Sequence, residues 1–137
     1  MRPPYAFPIR VYYEDTDAGG VVYYANYLRF MERARTEWLR SLGFEQDELL
    51  RQHGVIFAVR SVQIDFLKPA RLNDLLHLTV DITRCGRASM TLHQRAKLGD
   101  LVLCEGEVKI ACLDAKTFSP CAMPEAIAAR LTAGGTA

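Results

Sequence analysis

One long helical run followed by four alternating runs with short turns leaves this chain few ways to fold. From Asn26 to Leu42, the residues Leu28, Met31, Trp38, Leu39 and Leu42 return to one face. Gly43 supplies a C-terminal stop, and a shorter helix is expected over Gln46 to His53, closed by Gly54. The period then changes to two. Val62, Ile64 and Phe66 alternate with Ser61, Gln63 and Asp65 until Lys68-Pro-Ala-Arg71 breaks the run. Leu76, Leu78, Val80 and Ile82 alternate with His77, Thr79, Asp81 and Thr83. Met90, Leu92 and Ala96 alternate with Thr91, His93, Arg95 and Lys97, and Val102, Cys104, Val108, Ile110 and Cys112 share a face. Gly86 and Gly99-Asp100 mark tight turns. Ahead of the helix, Phe7 to Tyr13 predicts a fifth strand, with Ile9, Val11 and Tyr13 on its inner side.

Short turns join antiparallel neighbours, and alternation buries one face of the sheet. Only the long helix is large enough to cover that face. The expected fold is α+β, an antiparallel sheet wrapped around one long central helix. It forms a single domain over residues 1–137, with a short helix from Pro124 and a frayed tail at 132–137. The spacings Arg33/Glu37 and Glu32/Arg35 predict ion pairs along the outer helix face. Open sheet edges invite pairing, so at least a dimer is expected.

Seventeen basic against sixteen acidic residues leave a net charge of +1, which argues against nucleic acid as the main partner. The N-terminal residues carry no apolar signal region. No run of about 18 apolar residues exists, so no membrane span is expected. Cys85, Cys104, Cys112 and Cys121 form no Cys-x-x-Cys pair, and no histidine pair stands at zinc spacing. Buried or half-buried free thiols in a reducing cytoplasm are the expectation.

The chemistry concentrates in Asp15 to Tyr27, DTDAGGVVYYANY. Asp15, Asp17 and Gly20 match the first, third and sixth positions of a calcium loop, but Gly19 and Asn26 fall where further ligands are needed. Gly19-Gly20 has no following Lys-Ser/Thr, so a phosphate loop is not supported. His53, His77 and His93 carry no mark of a general base, and no Gly-x-Ser-x-Gly elbow is present. Asp17 precedes the helix by too much to cap it. A helix N-terminus offers unpaired N–H groups and partial positive charge, which can hold a carbonyl oxygen as it becomes negative. A carboxylate facing that oxygen can attack the carbonyl or activate water. One segment thus holds a base and an anion hole, suited to hydrolysis of an activated acyl group. Asp15 is expected to be structural.

The run VYYEDTDAGGVVYYANYLRFMERARTEWLR, with FLKPARLND, closely resembles the hotdog-fold acyl-CoA thioesterases. Within them it looks like the YbgC type associated with the Tol-Pal system, with 4-hydroxybenzoyl-CoA thioesterases as cousins. The resemblance covers about Ile9 to Leu113, and its D-x-A-G-x-V-Y/F-x-x-N-Y segment is specific. It implies hydrolysis of an acyl- or aryl-CoA by dimers, often paired into homotetramers, with active sites at the dimer interface. It places the catalytic aspartate on Asp17 and the oxyanion contact on the backbone N–H of Tyr24, with Gly20 giving the thioester room. It assigns coenzyme A phosphate contacts to Arg84, Arg87 and Ser89, with Lys68 and Arg71 as weaker candidates. No metal and no cofactor is implied, coenzyme A being part of the substrate. Many YbgC-type members carry His where this chain has Tyr24. Tyr, with a pKa near 10, is a poor base at pH 7, whereas Asp17 with backbone donors needs no His. Glu32 is read as an ion-pair partner, and Tyr13, Trp38 and Phe57 as core. The alternative reading is a non-catalytic acyl-CoA-binding module. A dehydratase would pair a His with an acid, and the opening segment has no His.

Overall fold

The structure, a computed structural model, describes residues 5–134. Its order is β1 (Tyr5–Arg10), α1 (Asn26–Ser41), α2 (Gln46–His53), β2 (Val55–Phe66), β3 (Leu75–Cys85), β4 (Ser89–Leu98), β5 (Leu101–Asp114) and α3 (Glu125–Gly134). The strands form one sheet in the order β1-β3-β4-β5-β2, and every neighbouring pair is antiparallel. Two tight turns build its centre, because a short turn can only return the chain antiparallel. The even-numbered residues Leu76, Leu78, Val80 and Ile82 on β3, and Met90, Leu92, Gln94 and Ala96 on β4, are buried beneath the helices. The α+β architecture read from the sequence is the one observed.

α1 buries Tyr27, Phe30, Met31, Ala34, Trp38 and Leu39. This stripe recurs every three or four residues, and Leu28 lies off it, exposed. The predicted pairs Arg33/Glu37 and Glu32/Arg35 do not form. Arg40 instead pairs with Glu37 and, at 2.8 Å, with Glu45 beyond the helix end. Arg35 turns inward, where its Nη1 donates to the Gln94 side-chain oxygen at 3.0 Å. Gln94 is fully buried, and its Nε2 donates to the Met31 carbonyl at 3.1 Å. Burial lowers the Arg35 pKa from its ordinary value, partly offset by Glu32 on the same helix.

Three strands differ from expectation for identifiable reasons. β1 ends at Arg10, and Tyr13, 83% exposed, begins a short 3-10 turn through Asp15. The Tyr12 N–H donates to the Asp15 carboxylate at 2.8 Å, which turns the chain away from the sheet. β2 is longer than the alternation suggested and carries a bulge between Val59 and Ser61. It is an outer strand, so Val62 and Phe66 stay exposed in the single chain although they point inward by parity. In β5 a bulge opposite Ala96/Lys97 shifts the register. Leu103 is therefore buried, and Val102, expected on the inner face, is only half-buried.

Cys104 and Cys112 are buried and Cys121 is half-buried, but Cys85 is exposed at the β3 end, unlike the expectation for all four. α3 runs through Gly134, and the last three residues of the predicted frayed tail lie outside the described residues. Among the described residues no helix is long and apolar enough to cross a membrane.

Candidate active site

After the 3-10 turn the chain makes a tight hairpin. The Asp17 N–H donates to the Val21 carbonyl at 2.9 Å, and the Gly20 N–H donates to the Asp17 carbonyl at 2.9 Å. Three residues close the loop, and the last, Gly20, has φ +80°. A turn followed by a left-handed residue suits a three-residue hairpin. Gly20 therefore has a backbone reason to be glycine, and the space beside it is open.

The same turn fixes the Asp17 carboxylate. Its Oδ1 accepts the Gly19 N–H at 2.8 Å and lies 3.5 Å from the Val21 N–H. Oδ2 has no donor among the described residues, and the residue is exposed. One oxygen is thus tethered and the other is free to meet a substrate or a water. A Cβ on Gly19 would stand 3.2 Å from Oδ1, so Gly19 is part of how the carboxylate is held. The sequence reading missed this role, although an Asp two residues ahead of a glycine was its visible signal.

Asp15 is structural, as expected. Its carbonyl accepts the Tyr23 N–H at 3.0 Å and the Asn26 side-chain amide at 2.9 Å. These bonds tie the hairpin to the start of α1, so Asn26 is a second residue whose positioning role the sequence did not disclose. Two backbone bonds hold the segment on the body of the protein. The Val22 N–H donates to the Ala70 carbonyl at 2.8 Å, and Val21 bridges Arg71.

The first turn of α1 is tight. The N–H groups of Asn26, Tyr27 and Leu28 donate to the carbonyls of Tyr23, Tyr24 and Ala25. The N–H groups of Tyr24 and Ala25 have no acceptor among the described residues, and no acid stands in the first helical turn to compete for them. Free donors at a helix start attract developing negative charge. The Tyr24 side chain is 60% exposed. Its ring lies 4.8 Å from that of Tyr23 and meets Phe66 edge-on at 6.0 Å. The Tyr24 hydroxyl beside Tyr23 raises the Tyr23 pKa from its ordinary value.

The structure brings Asp17, Gly20 and Tyr24 into one segment and leaves the arginine turn elsewhere. Arg84, Arg87 and Ser89 flank the β3–β4 turn and are all exposed. The Asp17 hairpin neighbours Ala70 and Arg71, just before β3 begins, whereas the arginines sit where β3 ends. Ten residue steps of about 3.3 Å place the two roughly 33 Å apart along the strand. That exceeds the pantetheine arm joining a coenzyme A thioester to its phosphates. Lys68 and Arg71 are exposed and lie at the Asp17 end. Trp38 is buried and Phe57 packs against the core, but Tyr13 does not.

A polar cleft of about 310 Å³ is lined by Gln63, Ile64, Asp65, His93, Glu105, Gly106 and Glu107, and includes none of Asp17, Gly20 and Tyr24. Its carboxylates suit neither an acyl chain nor a phosphate.

The Thioesterase-like superfamily matches residues 11–131. The acyl-CoA thioesterase YbgC of Haemophilus influenzae is 45% identical over 125 residues, spanning 91% of this chain and 92% of that protein. The acyl-CoA thioester hydrolase YbgC of Escherichia coli O157:H7 is 44% identical over 126 residues, spanning 91% and 93%. Among solved structures, a probable thioesterase from Bartonella henselae superposes with a TM-score of 0.85 at 36% identity, covering 89% of this chain and all of that one. The chain belongs to the thioesterase-like superfamily, beside the YbgC acyl-CoA thioester hydrolases.

Proposed function

We propose that the protein hydrolyses the thioester of an acyl- or aryl-CoA to the free acid and coenzyme A. The observation that carries this reading is the half-tethered Asp17 carboxylate, held in one short segment with the free N–H groups at the start of α1. The thioester carbonyl oxygen takes hydrogen bonds from the Tyr24 N–H, with the Ala25 N–H beside it. Asp17 Oδ2 then accepts a proton from an attacking water, or adds to the carbonyl itself and is released by water. In either route the coenzyme A thiolate leaves and is protonated. The open space beside Gly20 leaves the segment accessible to the thioester. Neither route needs a side-chain base at position 24, and none of the steps calls on a metal or a cofactor. The reading is tested by incubating the protein with short, long and aromatic acyl-CoA esters and following free thiol. Binding with every ester left intact would instead favour a non-catalytic acyl-CoA-binding module.

The arginine turn enters this reading through a second copy. β2 ends the sheet and exposes Val59, Val62 and Phe66 along an unpaired edge, and such edges favour pairing. Antiparallel pairing of two β2 edges would align the Phe66 end of one protomer, beside Tyr24, with the Val55 end of the other. The Val55 end is the one that carries Arg84, Arg87 and Ser89, since Phe57 pairs with Cys112 and the Cys112 N–H donates to Ala88. The phosphates would then be met by the partner's turn. Sedimentation is expected to give a dimer or a dimer of dimers at micromolar concentration, and a stable monomer would overturn the assembly. Replacing Arg84 and Arg87 together by Ala is expected to raise KM for acyl-CoA about tenfold or more, with kcat little changed. Steady-state kinetics checks this. Coenzyme A chemistry and free thiols both fit a cytoplasmic location.

A further inference from the structure

Cys112 and Cys121 lie nine positions apart with no motif between them, yet their sulfurs stand 3.8 Å apart. Asp114 explains the approach. Its carboxylate accepts the N–H groups of Lys116 at 2.8 Å and Thr117 at 3.0 Å, which folds the chain straight back. The returning strand then pairs with the end of β5. The Asp114 N–H donates to the Ser119 carbonyl at 2.8 Å, Leu113 bridges Pro120, and the Cys121 N–H donates to the Cys112 carbonyl at 2.9 Å. The two cysteines are therefore directly opposed, with backbones already at disulfide-compatible spacing.

This segment also touches the arginine turn. The Cys112 N–H donates to the Ala88 carbonyl at 2.8 Å, and the Met123 N–H donates to the Arg87 carbonyl at 2.9 Å. Ser119 to Met123 thus occupies the lane beside β5 that β4 leaves where it begins.

We propose that Cys112 and Cys121 form a reversible intramolecular disulfide, so that oxidation pins the Ser119–Met123 segment against the turn bearing Arg84 and Arg87. The oxidant is a small disulfide of the glutathione class. Half-buried Cys121 attacks it as the thiolate and releases one small thiol. Cys112 then displaces the second small thiol from the mixed disulfide. The protein loses two hydrogens, and one oxidant disulfide becomes two thiols. Burial, with the neighbouring Cys121 thiol, pushes the Cys112 thiol up to about 12. The burial part of that rise persists once Cys121 carries the small thiol, so the second step quickens as pH rises.

The bond itself stands independently of the coenzyme A reading, and only its kinetic consequence rests on that reading. The test treats the full chain with excess oxidised glutathione at mildly alkaline pH. The expected product has lost two hydrogens, yields a peptide joined through Cys112 and Cys121, and reverts with dithiothreitol. Its Tm is expected to rise by about 5 °C. Cys85→Ser should still form the bond. Cys121→Ser should not, while retaining the activity of the reduced protein. Glutathione left on Cys121 without closure, or a bond that involves Cys85, would overturn the proposal. For the coupling, KM for acyl-CoA is expected to change at least twofold on oxidation and to recover on reduction. A closed bond with unchanged KM overturns the link to the arginine turn. If no thioester is hydrolysed by the reduced protein, the functional reading fails and the mass and peptide results still decide the disulfide.

Discussion

Asp17→Asn is expected to lower the rate of acyl-CoA hydrolysis by about a hundredfold or more, the scale of losing a general base or nucleophile. That corresponds to about 2.7 kcal/mol of transition-state stabilisation. The substitution is suited to the question because it separates chemistry from architecture. An Asn side-chain oxygen can still accept the Gly19 N–H that Oδ1 accepts at 2.8 Å, and the backbone bonds from Asp17 to Val21 and from Gly20 to Asp17 do not involve the side chain. The hairpin should survive, and only the free oxygen loses its charge and basicity. Thiol release and thermal melting, measured on the same preparation, check both halves. Near-normal turnover in a protein with unchanged Tm would sink the mechanism.

Gln94→Leu is expected to destabilise the fold although it lies remote from the site. It deletes a side chain that is fully buried, accepts from Arg35 and donates to the Met31 carbonyl. Leucine fits the volume and adds apolar contact, but it leaves the Arg35 guanidinium without its described acceptor. Arg35 is half-buried, and leaving a partly desolvated donor unpaired costs more than the hydrogen bond gained while it was paired. The expected loss is about 2–4 kcal/mol, or roughly 10 °C in Tm. Arg35→Met in the same chain removes the unpaired donor and should restore much of that loss. A double-mutant cycle by urea melting measures the coupling. Additive effects of the two changes would show that the pair does not act as a unit.

That pair also marks where the sequence stopped being informative. Arg35 and Glu32 read as an exposed ion pair because spacing along a helix cannot say which way the edge of the apolar stripe will roll against the sheet. The strands β3 and β4 were legible because their alternation is regular and one short turn joins them. β5 was less so, since its bulge depends on the strand beside it. The end of β1 was missed because a single carboxylate, Asp15, diverts the chain through the Tyr12 N–H. At the candidate site, the Asp17 and Tyr24 assignments came from family resemblance together with the physics of a helix start. The tethering by Gly19 and Asn26 needed coordinates, because it depends on three-dimensional closure. The opposition of Cys112 and Cys121 had no sequence signal, being produced by the Asp114 turn.

The Tyr24 N–H has no acceptor among the described residues. In the proposed mechanism this donor belongs to the main chain, so nineteen of the twenty amino acids can supply it, and only proline cannot. The side chain there is then not needed for the reaction, and it stands exposed with Phe66 at its edge. Mutational drift at this one codon can therefore retune substrate preference while the hydrolytic step stays intact.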